Sequence, residues 1–230
     1  MIPIRDSVRS RSVPLVSLSI IAINVLVFLR ELGMTDRELW KFAAMYGVVP
    51  ARLSGLFTGH PQGVWFVATL FTAQFLHGGW FHLLGNMLYL WVFGDNVEDR
   101  MGRWRFLGFY LVAGALANFA HAVMHPTSMT PTIGASGAVA GVLGAYFVMF
   151  PRARVQALLP LGFFLYVTEL PAVLFLFLWF FLQLASGVAS IGLPPAVTGA
   201  VAWWAHVGGF LVGMFLGPSV ARRPRRRMWY

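Results

Sequence analysis

Three short stretches place polar side chains in otherwise apolar sequence. "GASG" carries Ser136, "AHVGGFLVG" carries His206, and "HLLGN" carries His82 and Asn86 four residues apart, so the last two share one face of a helix. Polar groups are costly in hydrocarbon and mark function there more often than they do in a soluble core. A histidine within ~3 Å of a serine hydroxyl can accept its proton and make it a nucleophile. Together these residues could carry out acyl transfer.

Each of these residues alone also has a structural reading. Ser136 could be a small residue at a helix contact, His206 a hydrogen-bonded histidine, and His82 with Asn86 an ordinary pair at a helix start. Residues that serve only in packing need not lie at the same depth in the membrane. A common depth for these four side chains would therefore favour the catalytic reading.

The elements that must position these side chains are membrane helices. The chain has 230 residues, of which 58% are hydrophobic and 11% charged, with a mean hydropathy of +0.72; soluble domains carry about 25% charged residues. The net charge of +9 comes from arginines at segment boundaries and in the tail "RRPRRR", which is typical of membrane topology signals and not of nucleic-acid binding. The absence of cysteine excludes disulfides, thiol catalysis and thiolate metal sites.

The hydropathy pattern predicts an all-α membrane protein with six transmembrane helices. The predicted spans are 14–29, 81–97, 104–123, 134–150, 169–188 and 198–217. Of the 17 Lys and Arg residues, 13 fall on one side of these spans and 4 on the other, which predicts that both termini are cytoplasmic. Spans two, four and six then run from outside to inside, which places His82, Ser136 and His206 toward the outer ends of their helices.

The chain is expected to form one domain over residues 14–220, preceded by a cytoplasmic segment (1–13) and followed by a basic cytoplasmic tail (221–230). Pro151 ends the fourth span, and Glu169 is expected as a charge at the start of the fifth, where proline is tolerated in the first turn. In the first loop, Thr35 and Glu38 form a capping box, which predicts a short helix on the outer leaflet.

Glycines flank both candidate catalytic residues. Gly137 and Gly141, which come after Ser136, are four residues apart. Gly209 and Gly213, which come after His206, are also four residues apart. Small residues at this spacing let membrane helices approach closely. We therefore expect these four, together with Gly134, to pack helices near the site.

On these motifs the chain resembles the rhomboid intramembrane serine proteases. The resemblance is carried by "HGGWFHLLGNMLYLWVFGDNVEDRMG" at 77–102, "GASG" at 134–137 and "AHVGGFLVG" at 205–213. It implies a six-helix rhomboid-like bundle in which Ser136 is the nucleophile and His206 its base. It also implies that His82, Asn86 and the backbone N–H of Ser136 stabilise the oxyanion, and that Glu98 is structural.

The resemblance further implies a serine endopeptidase that needs no cofactor or metal. Its substrates would be membrane proteins with a transmembrane segment that enters beside span five. Its other partner would be the lipid bilayer. No acidic residue lies near the outer ends of spans two, four and six, so a Ser–His dyad is expected and not a triad. Ala140 stands where some family members place an aromatic residue against the histidine, which leaves the group that orients His206 open. The minimal form of the chain predicts a prokaryotic plasma membrane.

Several alternatives stay open at this point. One is a non-catalytic rhomboid-like protein that binds membrane clients, although the serine and the histidine are both present. A zinc intramembrane protease would need HExxH, which the chain lacks, and for an aspartyl protease Asp95 has no intramembrane partner. A transporter could use His121 and His125, which are four residues apart at the outer end of span three; we interpret them as surface histidines.

Overall fold

The computed structural model describes residues 1–161, 164–192 and 201–221. Helices dominate, and in chain order they are α1 (Leu15–Leu32), α2 (Asp36–Tyr46), α3 (Ser54–Thr58), α4 (Pro61–Thr72), α5 (Trp80–Met101), α6 (Arg103–Met124), α7 (Ser136–Met149), α8 (Ala172–Ala189) and α9 (Trp203–Val220). Three strands accompany them: β1 (Ile2–Asp6), β2 (Arg154–Leu161) and β3 (Phe164–Pro171).

A helix coincides with each of the six predicted spans, in order α1, α5, α6, α7, α8 and α9. The start of the sixth span, 198–200, lies outside the described residues. Within the described part of the chain, three helices are long and apolar enough to cross a membrane, namely α1, α6 and α8. Helix α7 is apolar but has 14 residues, about 21 Å of helix against a hydrocarbon core of about 30 Å. The count of six spans stays a prediction.

Helices α5, α7 and α9 run parallel, as the predicted topology requires. His82 of α5 lies beside Gly134 just before α7, and eleven residues further along α5 the ring of Phe93 packs edge-on against Tyr146 of α7, with centroids 4.9 Å apart. Gly137, Gly141 and Ala145 of α7 lie against Gly209, Gly213 and Gly217 of α9 in the same order. All three helices therefore begin at one end of the bundle, which we call the site end.

The single residue between α5 and α6 is Gly102. It adopts φ = +83°, a backbone conformation that side-chain-bearing residues rarely accept. The chain thereby reverses within one residue, and α6 returns antiparallel toward the site end, where its Ala117 and Ala113 lie against Gly137 and Gly141.

The prediction of an all-α bundle is incomplete, because the structure also contains an antiparallel sheet in the order β1-β2-β3. Strand β1 lies along α5: the Asn96 amide donates to Asp6 at 2.9 Å, and the Tyr89 hydroxyl donates to the carbonyl oxygen of Met1 at 3.1 Å. Val155 and Ala157 of β2 are buried in the main hydrophobic core. Hydropathy alone misses this sheet because its first two strands lie far apart in the sequence.

Glu169 does not begin a helix. It lies in β3, pairs with Gln156 of β2 across the sheet, and forms an ion pair with Arg154. Helix α8 begins directly after β3, at Ala172, whose N–H donates to the Ala153 carbonyl at 2.8 Å. Of the predicted basic tail, 221–230, only Ala221 is within the described residues.

Two local predictions are confirmed. Thr35 and Glu38 cap α2 reciprocally, with the Thr35 N–H donating to Glu38 at 2.9 Å. This hydrogen bond lowers the pKa of the Glu38 carboxyl. Glu98 is structural: its buried carboxylate accepts from the N–H groups of Val16 and Ser17 and from the Ser17 hydroxyl, at 2.8–3.0 Å, which caps the first turn of α1.

Candidate active site

The four predicted site residues lie in one cavity at the site end. The cavity has a volume of about 690 Å³, and its lining includes Ser136, His206, His82 and Asn86. They are contributed by α7, α9 and α5, which begin beside one another. These residues therefore share one end of the bundle, although no hydrogen bond between described residues joins Ser136 to His206.

Ser136 is the first residue of α7, so its N–H belongs to the first helical turn, whose amides have no partner within the helix. The positive end of the helix dipole favours negative charge at this point. The chain enters the helix through Gly134 at φ = +127°, and the Gly134 N–H is held by the Ala73 carbonyl at 2.9 Å. The serine is thus placed on a fixed turn, with a backbone donor beside its hydroxyl.

His82 lies directly against Gly134. A methyl group on Gly134 would overlap the Nε2 atom of His82, so this contact requires glycine. The Gly78 N–H points to His82 Nδ1 at 3.5 Å, which makes Nδ1 the acceptor and leaves Nε2 as the protonated nitrogen. His82 thereby presents a donor toward the serine turn.

Asn86 lies one turn further along α5 and is 7% exposed. Its side-chain amide donates one N–H to the His82 carbonyl at 2.8 Å. An amide nitrogen carries two hydrogens, so this contact fixes the side chain and leaves a second donor. His82 and Asn86 can therefore both donate to an oxygen in the cavity.

His206 lies in the first turn of α9, three residues after Trp203, where the helix begins. Its Nδ1 is 2.7 Å from Oε1 of Gln183 on α8. Two indole rings flank the imidazole, those of Trp179 and Trp203, with centroids 5.9 and 6.1 Å away.

Gln183 and Trp179 were missed by the sequence reading. Ala140, the position that raised the question of what orients His206, is fully buried in the core. The groups that contact the imidazole come instead from α8 and from the start of α9. A signal was present, because Gln183 is the only amide side chain in the 18 residues of α8.

Four of the five flagged glycines lie where helices touch: Gly137 and Gly141 contact α6 and α9, and Gly209 and Gly213 contact the backbone of α7. Gly134 packs against a side chain of α5, not against a helix backbone. It precedes α7 and makes room for His82.

His121 of α6 and His125, which follows its last residue, are half-buried and not at the surface as expected. The centroids of the His121 and His125 rings are 4.6 Å apart, with the ring planes tilted by 33°, and His125 Nδ1 lies 3.3 Å from the His121 carbonyl. Over residues 1–161, 164–192 and 201–221, no group of three or more potential metal ligands includes them.

Comparison with known proteins gives the family. The Rhomboid domain matches residues 64–223, more than half of the chain. The chain belongs to the rhomboid family, whose members are in general intramembrane serine proteases.

Individual relatives are distant. RHOMBOID-like protein 5 of Arabidopsis thaliana is 31% identical over 156 residues, which is 68% of this chain and 45% of the relative. Presenilin-associated rhomboid-like protein, mitochondrial, of Homo sapiens is 28% identical over 204 residues, 85% of this chain and 46% of the relative. Rhomboid protein 1, mitochondrial, of Saccharomyces cerevisiae is 29% identical over 164 residues, 68% of this chain and 44% of the relative. The chain spans less than half the length of these proteins.

The comparisons contradict the predicted location. These relatives are eukaryotic, and two of the three are named as mitochondrial, which points to a mitochondrial membrane and not to the plasma membrane of a prokaryote. A short chain with few charges indicates a membrane protein but does not indicate which membrane holds it.

Proposed function

We propose that this protein is an intramembrane serine endopeptidase that uses Ser136 and His206 as a catalytic dyad. One observation carries the proposal: in a chain of the rhomboid family, a serine at a helix start, a histidine and two side-chain donors line one cavity. Scattered packing residues would not supply nucleophile, base and oxyanion donors together.

The chemistry is acyl transfer in two steps. His206 takes the Ser136 proton as the serine oxygen attacks the scissile carbonyl, and the oxyanion is stabilised by the Ser136 N–H, His82 and Asn86. His206 then gives the proton to the leaving amine as the peptide C–N bond breaks. Water, deprotonated by His206, attacks the acyl-enzyme and releases the serine.

The substrates we propose are transmembrane segments of other membrane proteins. The cavity that holds the site borders α8 through Trp179 and Gln183, and the opposite face of α8 is exposed and apolar, with Leu174, Phe177, Phe181 and Leu182 among its exposed side chains. An apolar segment could therefore approach this helix from the lipid. The names of the relatives favour a mitochondrial membrane as the setting.

The test is cleavage of a single-span model substrate by the purified protein in detergent or liposomes. We expect the wild type to cleave the substrate and Ser136→Ala and His206→Ala each to lose this activity. Thermal unfolding checks that both variants are still folded. Ser19→Ala is the matched control, because that hydroxyl lies on α1 and donates only to the Leu15 carbonyl; its rate should equal that of the wild type.

A serine-directed fluorophosphonate probe gives a second readout. Covalent labelling should require Ser136 and persist in Ser19→Ala. Substrate that is bound but never cut by the wild type would instead support a client-binding protein, and cleavage that survives Ser136→Ala would refute the proposal outright.

A further inference from the structure

Gln183 is a polar side chain in a strongly apolar helix. Helix α8 reads "AVLFLFLWFFLQLASGVA", and an amide in such a setting is costly unless it has partners. Gln183 has two: its Oε1 lies 2.7 Å from His206 Nδ1, and its Nε2 donates to the Trp179 carbonyl at 3.3 Å. The one amide of α8 thus meets the imidazole of the dyad.

These two contacts fix which way the amide points. The Trp179 carbonyl can only accept a hydrogen bond, so the group that faces it must be the NH₂ of Gln183. The oxygen is then the atom that faces His206, and an oxygen acceptor requires a proton on Nδ1. The other ring nitrogen, Nε2, is left unprotonated in the neutral imidazole.

The rest of the surroundings add no competing partner. The two neighbouring indoles, Trp179 and Trp203, restrict the ring by their bulk. Among the described residues, Gln183 is the hydrogen-bond partner of the His206 ring. The tautomer and orientation of the imidazole are therefore set by a helix that carries neither Ser136 nor His206.

We propose that Gln183 is the positioning residue of the catalytic base. It holds Nδ1–H of His206 and so keeps the Nε2 lone pair available for the Ser136 proton, the part that an acidic residue plays in a triad. This inference rests on the proposed function. Because the amide is neutral, it aligns the base without bringing a carboxylate into an apolar site, where an unpaired charge would be costly.

The test uses three variants of the full chain. Gln183→Leu keeps the volume and removes the acceptor, and Gln183→Glu keeps an acceptor oxygen at the same reach. Asn24→Leu is the control, because it removes an amide of α1 that likewise donates to the carbonyl four residues before it, that of Ile20 at 2.8 Å, and does not line the cavity. We measure kcat and KM for a single-span substrate and thermal unfolding. We also record the ¹⁵N spectrum of histidine-labelled protein, in which the His206 signals are identified by their loss in His206→Ala.

We expect Gln183→Leu to lower kcat by about 10- to 100-fold with KM unchanged. The reason is that the charged imidazolium of the transition state loses the hydrogen bond from its Nδ1–H. The His206 spectrum should show a protonated Nδ1 in the wild type and lose that signal in Gln183→Leu. Gln183→Glu should recover most of the rate, and folded Asn24→Leu protein should keep all of it.

Two results would overturn the positioning role: a wild-type spectrum in which Nε2 carries the proton, or a folded Gln183→Leu protein with wild-type kcat. An equal loss of kcat in Gln183→Glu and Gln183→Leu would also count against the positioning role. It would show that kcat does not depend on an acceptor oxygen at residue 183. Each of these differs from failure of the proposed function, in which the wild type does not cleave or Ser136→Ala still does.

Discussion

The backbone of Gly209 lies directly against the carbonyl oxygen of Gly137, so close that a methyl group at residue 209 would overlap that oxygen. Gly137 follows Ser136, and Gly209 is three residues after His206. The approach of these two backbones therefore sets how near the serine and the histidine can come.

The first prediction concerns this contact. Gly209→Ala should lower the free energy of unfolding by about 3 kcal/mol, because the added methyl group must push two helix backbones apart. Gly108→Ala is the control: on α6 a methyl group there meets nothing within 4 Å, so better helix propensity should stabilise the protein by up to about 1 kcal/mol. Chemical unfolding in micelles measures both, and equal stability of the two variants would contradict the packing argument.

The second prediction separates oxyanion stabilisation from folding. Asn86→Ala should lower kcat/KM by about 10²- to 10³-fold, the usual cost of one such donor, with little change in thermal unfolding. Asn118→Ala removes a buried amide on α6 that donates to the Leu70 carbonyl at 3.0 Å, away from the cavity. It should reduce stability and leave the rate of the folded protein unchanged; the reverse pattern would exclude Asn86 as a donor to the oxyanion.

The third prediction concerns the cap that Glu98 provides for α1. Glu98→Ala removes the acceptor of three hydrogen bonds from Val16 and Ser17 and leaves buried donors without a partner. We expect a loss of about 3 kcal/mol in unfolding free energy. Glu98→Gln retains one acceptor oxygen and should lie between this variant and the wild type. A Glu98→Ala protein as stable as the wild type would show that water replaces the carboxylate.

The fourth prediction is a pH dependence of stability from β1. Burial raises the pKa of the Asp6 carboxyl to about 6, against the hydrogen bond from Tyr146, and the charge of Asp95 acts in the same direction as burial. The folded state therefore binds this proton more tightly than the unfolded state. Its contribution to stability is full below pH 4 and is lost as the pH rises to about 6.

Asp6→Asn cannot titrate, so the difference in unfolding free energy between variant and wild type should grow in favour of the variant over that interval. Unfolding in micelles at a series of pH values from 4 to 7 measures it. A constant difference across the series would show that Asp6 does not titrate in this range.

The helices and the residues that line the cavity could be predicted from the sequence for one physical reason. Long apolar runs and isolated polar groups carry large transfer free energies, so Ser136 and His206 stand out whatever their tertiary surroundings. Strand β1 could not be found in this way, since its pairing of Pro3 with Ala157 joins positions remote in the chain. Gln183 was overlooked because its significance depends on a partner, His206, that only the packing of α8 against α9 supplies.

The junction at Pro171 gives α8 a mechanical connection that a flexible linker would not provide. Strand β3 passes into the helix with no intervening residue, and β3 is in turn tied through β2 to the first strand of the chain. Because β3 and α8 are directly connected, we expect a tilt of α8 to move β2 and β3 as well. A crosslink between these strands would thus restrict the tilting of α8, the helix that carries Gln183, without altering any residue of the cavity.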